Sequence, residues 1–261
     1  MAKQANYTVI TGASSGIGRE TAKTFAKRGK NIVVIARRED RLLELQKEIR
    51  TICPAADVVV KIADLSDIAQ VHQIYEEVRE YPLETWINNA GFGNYDSVSK
   101  QDLSKIENML RLNIVALTIF STLFVRDYEN IEGTQLINIS SAGGYTLVPN
   151  AVTYCAAKFY VSAFTEGLAR ELIMSGAKMR AKVLAPAATK TEFGMVANDV
   201  IEYNYDEQFG TYHTSEQMAN FLMRLYDSEQ SIGVVNRETF EFELSEPIFP
   251  YAGNSKHNQK R

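Results

Sequence analysis

A tyrosine and a lysine four positions apart carry the clearest chemical signal in this sequence. Tyr154 and Lys158 lie in the run Tyr-Cys-Ala-Ala-Lys. Residues four apart on a helix share one face, with roughly 5–6 Å between their Cβ atoms. A lysine ammonium at that distance favours the phenolate, so we expect it to lower the tyrosine pKa from its ordinary value of about 10. The pair therefore predicts a general acid/base, although many surface helices carry the same spacing.

A glycine-rich turn far upstream indicates what this acid/base would act beside. Gly12, Gly16 and Gly18 lie in the run Thr-Gly-Ala-Ser-Ser-Gly-Ile-Gly, between a predicted strand and a predicted helix. Glycine lets the backbone approach a pyrophosphate closely, and a helix N-terminus offers N–H groups and the positive end of a dipole. The alternative is a tight helix-entry turn without a ligand. The strand–turn–helix context favours dinucleotide binding.

Apolar runs of strand length alternate with amphipathic helical stretches along most of the chain. The predicted strands are residues 7–11, 31–36, 57–63, 85–88, 134–140 and 179–185. The predicted helices are residues 16–28, 38–50, 67–81, 103–128 and 152–175. This alternation predicts an α/β domain with a doubly wound, Rossmann-like parallel sheet, in which ligands bind at the carboxyl ends of the strands.

The last quarter of the sequence is less regular. Residues 191–213 are rich in Gly, Asn and Tyr and follow the sixth strand, so we predict a substrate lid there. A poorly packed surface insertion is the alternative. We further predict a strand at 239–244 with one buried face, an irregular segment at 244–251 and a disordered tail at 253–261.

Length and composition exclude several classes of protein. The 261 residues predict one large domain, and the net charge of −4 gives no global field that would attract nucleic acid or an anionic membrane. Two cysteines give no disulfide framework and fit a reducing compartment. No predominantly apolar run reaches about 18 residues. We therefore expect a cytoplasmic protein with no metal site, no nucleic-acid partner and no membrane partner.

The chain resembles the short-chain dehydrogenase/reductase family. The matching elements run in unbroken order over about residues 5–195. They are the glycine turn Thr11–Gly18, Asp64, the run Asn88-Asn89-Ala90-Gly91, Asn113, Ser141, Tyr154 and Lys158. The resemblance implies an oxidoreductase that transfers hydride between a nicotinamide cofactor and a carbonyl or secondary alcohol.

The resemblance implies four catalytic residues. Ser141 would hydrogen-bond the substrate oxygen, and Tyr154 would donate or accept the proton. Lys158 would hold the nicotinamide ribose and lower the tyrosine pKa, and Asn113 would anchor a water in a proton relay. Ser140 could also take the serine role, but the family's usual interval to the tyrosine selects Ser141, since 154 − 141 = 13. Strand-end capping for the serines, and a backbone-satisfied amide for the asparagine, are the alternatives without a catalytic function.

Cofactor contacts follow from the same resemblance. Asp64 and Leu65 would hold the adenine ring, with a helix cap as the alternative for Asp64. Thr189 and Thr191 match positions that contact the carboxamide and the pyrophosphate, although Ala187 replaces the family's usual glycine. The complete predicted set is Gly12, Ser14, Ser15, Gly16, Ile17, Gly18, Arg37, Arg38, Asp64, Leu65, Asn89, Ala90, Gly91, Tyr154, Lys158, Pro186, Thr189 and Thr191.

The end of the second strand predicts the type of dinucleotide. An acidic residue there binds the ribose 2′-hydroxyl of NAD, whereas an arginine binds the 2′-phosphate of NADP(H). We expect Arg37 to pair with the phosphate, with Ser14 and Arg38 as lesser donors. Glu39 and Asp40 fall on the next helix turn, where a neighbouring arginine or the helix dipole accounts for them. The sequence therefore predicts NADP(H).

Two other functions stay open. A non-catalytic dinucleotide sensor or scaffold on the same fold would usually lack the tyrosine or the lysine, whereas all four catalytic positions are filled here. A reductase of 3-oxoacyl chains on a carrier protein would need a basic patch at the site entrance, and the Lys and Arg residues are scattered. The lid side chains suggest an apolar, aromatic pocket; they are Phe193, Met195, Tyr203, Tyr205, Phe209 and Tyr212.

The two longest predicted helices also indicate an assembly. Residues 103–128 and 152–175 flank the site, and enzymes of the family that the chain resembles pair these helices across a two-fold axis. We therefore predict a homodimer or homotetramer. The candidate interface residues are Phe120, Leu123, Phe124, Phe164 and Leu168, with burial inside the monomer as the alternative.

Overall fold

A computed structural model describes residues 6–252, and a twisted eight-stranded sheet forms its centre. Within the sheet the strand order is β10-β9-β6-β5-β4-β1-β2-β3, and every neighbouring pair is parallel except β9 and β10. Strands β7 and β8 form a separate parallel pair. The strands are β1 (Tyr7–Thr11), β2 (Asn31–Ala36), β3 (Val58–Ile62), β4 (Leu83–Asn88), β5 (Gln135–Ile139), β6 (Arg180–Ala185), β7 (Thr189–Lys190), β8 (His213–Thr214), β9 (Ile232–Val235) and β10 (Phe242–Ser245).

Helices cover both faces of the sheet, and two short helices lie in the segment predicted as a lid, residues 191–213. A π-helical segment (Arg111–Ala116) joins α4 to α5, so residues 103–128 form one continuous helix. The helices are α1 (Gly16–Lys27), α2 (Glu39–Ile52), α3 (Ile68–Val78), α4 (Leu103–Leu110), α5 (Leu117–Tyr128), α6 (Val152–Ser175), α7 (Phe193–Asn198), α8 (Tyr205–Gln208) and α9 (Ser215–Asp227).

The doubly wound α/β architecture and the single domain are confirmed. The six strands and five helices predicted before residue 186 all form, with ends that differ from the predictions by at most three residues. Each buried strand alternates its side chains between two cores. Val9 and Val33 face the α3, α5 and α6 side, whereas Ile10 and Val34 face the α1, α2 and α9 side. Burial on both faces explains why these strands read as continuous apolar runs.

The last strand begins later than predicted. Residues 236–241 form the turn of the β9–β10 hairpin instead of strand. The Asn236 side chain accepts hydrogen bonds from the backbone N–H groups of Glu238 and Thr239, and Phe240 has a positive φ of 58°. These local bonds compete with strand pairing. Helix α9 and strand β9 were not predicted.

The continuous helix over residues 103–128 is long and apolar enough to cross a membrane by length and composition, the only such helix within residues 6–252. Its inner side belongs to the core, because Phe120 and Phe124 are at most 1% exposed and contact the Trp86 ring. Their assignment to an intermolecular interface is therefore wrong, and burial inside the monomer explains them. Leu123, Phe164 and Leu168 are only partly buried and stay candidates. The predicted tail, residues 253–261, lies outside the described residues.

The sheet order reverses between β1 and β4, and this reversal positions the site. The Thr11 hydroxyl at the end of β1 accepts hydrogen bonds from the backbone N–H groups of Asn89 and Ala90, each at 3.0 Å. Asn88 at the end of β4 donates to the Asn138 side chain of β5 at 2.9 Å. Side-chain bonds therefore join the carboxyl ends of three strands at the point where such folds bind ligands.

Candidate active site

Tyr154 and Lys158 lie one turn apart on α6 and are both buried, at 6% and 5% exposure. The Lys158 Nζ lies 5.9 Å from the centre of the Tyr154 ring. It also donates a hydrogen bond to the carbonyl oxygen of Ile139, at the end of β5, over 2.8 Å. Helix α6 and the central sheet thus bring the predicted pair together on one face, beside the carboxyl end of a strand.

The predicted lowering of the Tyr154 pKa is wrong for this structure. Burial raises the pKa of Tyr154 above its ordinary value of 10.0, although a hydrogen bond with Ser141 opposes the rise. Burial also lowers the pKa of Lys158 from 10.5 to about 8, so the ammonium itself is destabilised. The lysine cannot offset the desolvation of the phenolate when it is desolvated in the same site. Tyr154 is therefore a phenol at neutral pH, the form that donates a proton.

The two serines after β5 have different partners. The Ser140 hydroxyl donates to the carbonyl oxygen of Lys158 at 3.0 Å and shares a 2.7 Å hydrogen bond with Ser162. Ser141 is half-buried, and its Oγ accepts from the N–H of Gly143 at 3.0 Å. Its hydroxyl also contacts Tyr154. Ser140 thus fixes the strand to α6, whereas the Ser141 hydroxyl faces Tyr154.

Asn113 lies within the π-helical segment and is 1% exposed. Its side-chain amide exchanges two hydrogen bonds with the backbone of Phe92, donating to the carbonyl oxygen at 2.9 Å and accepting from the N–H at 3.2 Å. Both bonds reach a loop 21 residues away in sequence and none serves its own helix. A Cβ placed on Gly91 would lie 3.0 Å from the Asn113 Oδ1 and 3.7 Å from the Lys158 Nζ. The amide therefore lies beside the lysine.

The glycine turn forms a close-fitting cradle. Gly12 and Gly16 have positive φ angles of 68° and 56°, which favour glycine. A Cβ on Gly12 would lie 2.7 Å from the Ala90 Cα, and one on Gly18 would lie 2.5 Å from the Asn89 Nδ2. No side chain caps the N-terminus of the twelve-residue helix α1. The turn therefore presents backbone at close range and an uncapped helix end, which fits a pyrophosphate.

Neighbouring side chains hold this cradle in shape. The Asn89 side chain donates to the carbonyl oxygens of Thr11 and Gly12, at 2.9 and 3.3 Å. Ile17, in the first turn of α1, packs against the core below. The methyl group of Thr191 would lie 3.0 Å from a Cβ on Gly16, so the chain after β6 touches the turn from the other side.

The two arginines after β2 point to different partners. Arg38 donates to the hydroxyls of Ser14 and Ser15, at 3.0 and 2.9 Å, and pairs with the Glu192 carboxylate at 2.8 Å. Arg37 has a side chain that is 70% exposed and lies 3.8 Å from the Asp64 carboxylate. Arg38, predicted as the lesser donor, is thus the arginine that contacts the predicted serine.

Asp64 does not cap a helix, because Asp67 caps α3. Burial disfavours its charged form, but hydrogen bonds from Ser66 and the nearby Arg37 outweigh this and lower its pKa. Leu65 beside it is 4% exposed. The chain just after β3 therefore offers a carboxylate next to an apolar side chain.

The segment after β6 has Ala187 where the resemblance leads one to expect glycine. Ala187 has no positive φ, so the missing glycine has no steric cost there. The carbonyl oxygen of Pro186 accepts from the N–H of Ala142 at 2.8 Å. Thr189 is buried and donates to the Ala187 carbonyl oxygen, and Thr191 accepts from the N–H of Phe193 at the start of α7.

One aromatic side chain of residues 191–213, Phe193, contacts Tyr154. The Phe193 ring lies 5.4 Å from the Tyr154 ring and 6.1 Å from Tyr95. A Cβ on Gly93 would lie 2.7 Å from the Phe193 ring, so this glycine makes room for it. The other lid rings pack against one another, namely Tyr203, Tyr205, Phe209 and Tyr212.

A groove of about 430 Å³ separates the base of the lid from the glycine turn. It is lined by Ser14, Ser15, Gly16, Lys190, Thr191 and Glu192, among others. Met195, Tyr203 and Tyr205 also line this groove. The groove is polar and runs along the N-terminus of α1.

Three residues of the site were not predicted: Gly93, Tyr95 and Glu192. Tyr95 has its ring 5.7 Å from Tyr154, and burial raises its pKa. The sequence held a signal for Gly93: a second glycine two residues after Gly91 indicates that the backbone there is closely approached by another group. Glu192 gives no signal in sequence, because its contact with Arg38 depends on the path of the chain after β6.

Comparisons with known proteins agree on one family. The profile of the family described as short chain dehydrogenase matches residues 6–201. An uncharacterized oxidoreductase of Staphylococcus saprophyticus is 31% identical over 186 residues, which are 70% of this chain and 74% of the relative. Dehydrogenase/reductase SDR family member 11 of Homo sapiens is 29% identical over 197 residues, 73% and 76% of the two chains. The short-chain dehydrogenase from Sphingobium yanoikuyae in complex with NADPH superposes with a TM-score of 0.81 at 27% identity, over 90% of this chain and 89% of that one.

Proposed function

The chain belongs to the short-chain dehydrogenase family and is an oxidoreductase, and on that premise we propose that it transfers hydride between NADP(H) and a carbonyl or secondary alcohol. Tyr154 acts as the general acid/base. One observation carries this proposal: Tyr154, Lys158 and the Ser141 hydroxyl meet at the carboxyl end of β5, at the edge of the sheet where β1 carries the glycine turn.

Residues that follow four strands, β1, β3, β4 and β6, would hold the dinucleotide. The cradle of Gly12, Gly16 and Gly18 would receive the pyrophosphate at the uncapped end of α1. Asp64 and Leu65 would hold the adenine ring. Pro186, Thr189 and Thr191 would face the nicotinamide side. Asn89, Ala90 and Gly91 would lie beside the adenine ribose, and Lys158 would hold the nicotinamide ribose.

The bound nicotinamide supplies or accepts the hydride. The chain's own groups handle the proton and the substrate oxygen. Tyr154, a phenol at neutral pH because burial raises its pKa, donates its proton to the oxygen of a carbonyl substrate. Ser141 hydrogen-bonds that oxygen and opposes the rise in the tyrosine pKa. Lys158, with a pKa of about 8, would pass a proton towards Tyr154, and Asn113 beside it would anchor a water that completes this relay.

The preference for NADP(H) rests on the positive side chains after β2. Arg38 donates to Ser14 and Ser15, which line the groove, and pairs with Glu192. Arg37 follows β2 next to it and is exposed. These groups match a 2′-phosphate, which accepts several charge-assisted hydrogen bonds. The NADPH complex of the Sphingobium relative supports the same cofactor. Glu39 and Asp40 lie in the first turn of α2, where they complement the helix dipole.

The substrate is proposed to be an uncharged, apolar carbonyl compound. Tyr154 is flanked by the rings of Tyr95 and Phe193, which bury apolar groups and do not pair with a charge. The cation of α4 that reaches the lid, Lys105, pairs with Asp199. An acyl chain carried by an acidic protein would find little unpaired positive charge here.

Incubating the protein with NADPH and a panel of aliphatic, aryl and 3-oxoacyl carbonyl compounds tests the proposal. Loss of NADPH absorbance with apolar ketones is the expected result. Binding of NADPH without turnover on any substrate would favour the sensor or scaffold. Turnover restricted to carrier-linked 3-oxoacyl chains would favour the acyl reductase.

We also propose that the enzyme is a homodimer or homotetramer. The π-helical segment before α5 leaves Val115 exposed, and α6 leaves Tyr160, Ile173 and Met174 exposed. The rings of Tyr160 and Phe164 on α6 stack with 5.9 Å between their centres. An apolar surface on two neighbouring helices suits a two-fold contact. Sedimentation at micromolar concentration should give a dimer or tetramer, and a monomer would contradict this proposal.

A further inference from the structure

Residues 246–251, which we call the C-terminal strap, contact helix α6 at Glu166 and Arg170, which follow Tyr154 and Lys158 along that helix. The strap has irregular backbone, and side chains of α6 satisfy its polar groups. The backbone N–H groups of Ile248 and Phe249 donate to the Glu166 carboxylate at 2.8 and 2.9 Å. Arg170 donates to the carbonyl oxygens of Pro247 and Phe249 at 2.9 and 3.0 Å. Four hydrogen bonds therefore fix the strap to α6.

Glu166 is the centre of this contact. It is 2% exposed, and its other carboxylate oxygen accepts a hydrogen bond from the Tyr145 hydroxyl at 2.7 Å. A buried carboxylate is costly unless its oxygens are hydrogen-bonded. Here the strap supplies two of the three donors and Tyr145 supplies the third. The Phe249 ring also stacks on the Tyr145 ring, with 5.3 Å between centres and an angle of 19°.

Tyr145 ends the short turn that begins at Ser141. The N–H of Gly144 donates to the Ser141 carbonyl oxygen at 2.7 Å, and the N–H of Tyr145 donates to the Ala142 carbonyl oxygen at 3.1 Å. The Ser141 hydroxyl accepts from Gly143 within the same turn. The position of the Ser141 hydroxyl therefore depends on a turn whose far end is anchored by Tyr145.

We infer that Glu166 is a positioning residue, and that the C-terminal strap and Glu166 together brace Tyr145 and so hold Ser141 against Tyr154. The inference rests on the proposed function for its catalytic consequence, but the brace itself is a property of the fold. The profile of the family ends at residue 201, so the strap lies outside the matched region.

Two mild substitutions each remove one contact of Tyr145, either the hydrogen bond to Glu166 or the stacking with Phe249. We call these two contacts the brace. Tyr145→Phe removes the hydroxyl that bonds Glu166 and keeps the ring, whereas Phe249→Leu removes the stacked ring and keeps the backbone donor. Tyr75→Phe is the matched control, because the Tyr75 hydroxyl also donates to a carboxylate, that of Asp127 on α5, at 2.9 Å. That bond joins α3 to α5, away from the turn of residues 141–145.

The first measurement is hydrogen exchange of the peptide that contains residues 141–145, which needs no activity. Both brace variants should exchange these amides several-fold faster than the wild type, and Tyr75→Phe should leave them unchanged. Unchanged exchange in Tyr145→Phe and Phe249→Leu would overturn the brace. This result stands even if the wild type reduces no carbonyl, which would refute the proposed function separately.

The second measurement is turnover and its dependence on pH. Both brace variants should lower kcat about fivefold to tenfold while the Kd for NADPH stays within about twofold, because only the placement of the serine changes. The pH at half-maximal kcat for alcohol oxidation should also move upwards, since the serine hydrogen bond opposes the rise in the Tyr154 pKa. An unchanged kcat and pH profile, with faster exchange, would refute the positioning role of Glu166.

Discussion

The ring of Phe193 lies 5.4 Å from the ring of Tyr154, so a lid side chain covers the proposed acid/base directly. Gly93 lies beneath Phe193 and leaves no room for a larger side chain. The other aromatic side chains of the lid contact one another; they are Tyr203, Tyr205, Phe209 and Tyr212. Phe193 is therefore the lid residue best placed to limit the size of the substrate.

Phe193→Ala should widen the space above Tyr154 and favour bulky ketones. We expect kcat/KM for an aryl ketone to rise about tenfold relative to that for a small aliphatic ketone, since substrate discrimination by apolar pocket volume is about 10–200-fold. Steady-state kinetics with both ketones measure this ratio. Phe209→Ala is the control, because Phe209 contacts Tyr203 and Tyr205 instead of Tyr154. An equal change of the ratio in both variants would show that Phe193 has no special role.

Arg37→Asp should reverse the cofactor preference. A carboxylate repels the 2′-phosphate and accepts a hydrogen bond from the ribose hydroxyl of NADH. A charge-assisted hydrogen bond contributes about 1.5–3 kcal/mol, so one such contact gives roughly a 10–150-fold preference for NADPH. Fluorescence titration gives Kd for both cofactors, in the wild type and the variant.

The exposed residue Arg50, in the last turn of α2, provides the control for charge alone. Arg50→Asp should leave the ratio of the two Kd values unchanged. Equal wild-type affinities for NADPH and NADH would contradict the NADP(H) proposal and would leave the family assignment intact. A preference for NADPH that survives Arg37→Asp but not Arg38→Asp would move the phosphate to Arg38, which already contacts Ser14 and Ser15.

Local sequence patterns predicted most of the fold and which candidate site residues lie together. Tyr154 and Lys158 share a helix face because of their spacing alone, and the glycine turn follows from its place between a strand and a helix. The Tyr154 pKa could not be predicted in this way, because its direction depends on burial by distant segments such as the lid. Contacts of Phe193 with Tyr95 and of Glu166 with the strap likewise join residues far apart in sequence.

The end of the chain was missed for a different reason. Helix α9 begins with a capping box in which the Thr214 and Gln217 side chains each bond the other's backbone N–H. The pattern Thr-x-x-Gln was readable in the sequence. Strand β9 is only four residues long, with Ile232 and Val235 fully buried, and gives too short a period to read.

Lys182→Met should destabilise the fold. Lys182 on β6 is 1% exposed, and its Nζ donates to the carbonyl oxygens of Leu225, Tyr226 and Ser228 at the end of α9, at 2.8, 3.0 and 2.6 Å. A methionine fills the space and donates nothing. Leaving a buried acceptor without a donor costs about 1–3 kcal/mol. Urea denaturation should show the loss, and Lys178→Met, at an exposed lysine, should show none.

The stabilities of the wild type and of Lys182→Met should also depend differently on pH. Burial, with Arg180 adding to it, lowers the pKa of Lys182 to about 8, below its value of about 10.4 in an unfolded chain. Between these two values the unfolded state binds more protons, so stability rises with pH. The free energy of unfolding of the wild type should therefore rise relative to Lys182→Met from pH 7 to pH 9.5. If the difference in the free energy of unfolding between the two proteins shrinks or stays constant over this pH range, the lowered pKa of Lys182 is contradicted.

Tyr154→Phe tests the central claim most directly. The substitution removes the phenol that is proposed to donate the proton and keeps the ring against Phe193 and Tyr95. General acid–base catalysis contributes about 10²–10⁴-fold, so kcat for ketone reduction should fall at least a hundredfold while the Kd for NADPH is unchanged. Lys158→Ala should impair both, since the lysine also holds the ribose. A Tyr154→Phe enzyme that retains more than about a tenth of the wild-type kcat would contradict the assignment of Tyr154 as the acid/base.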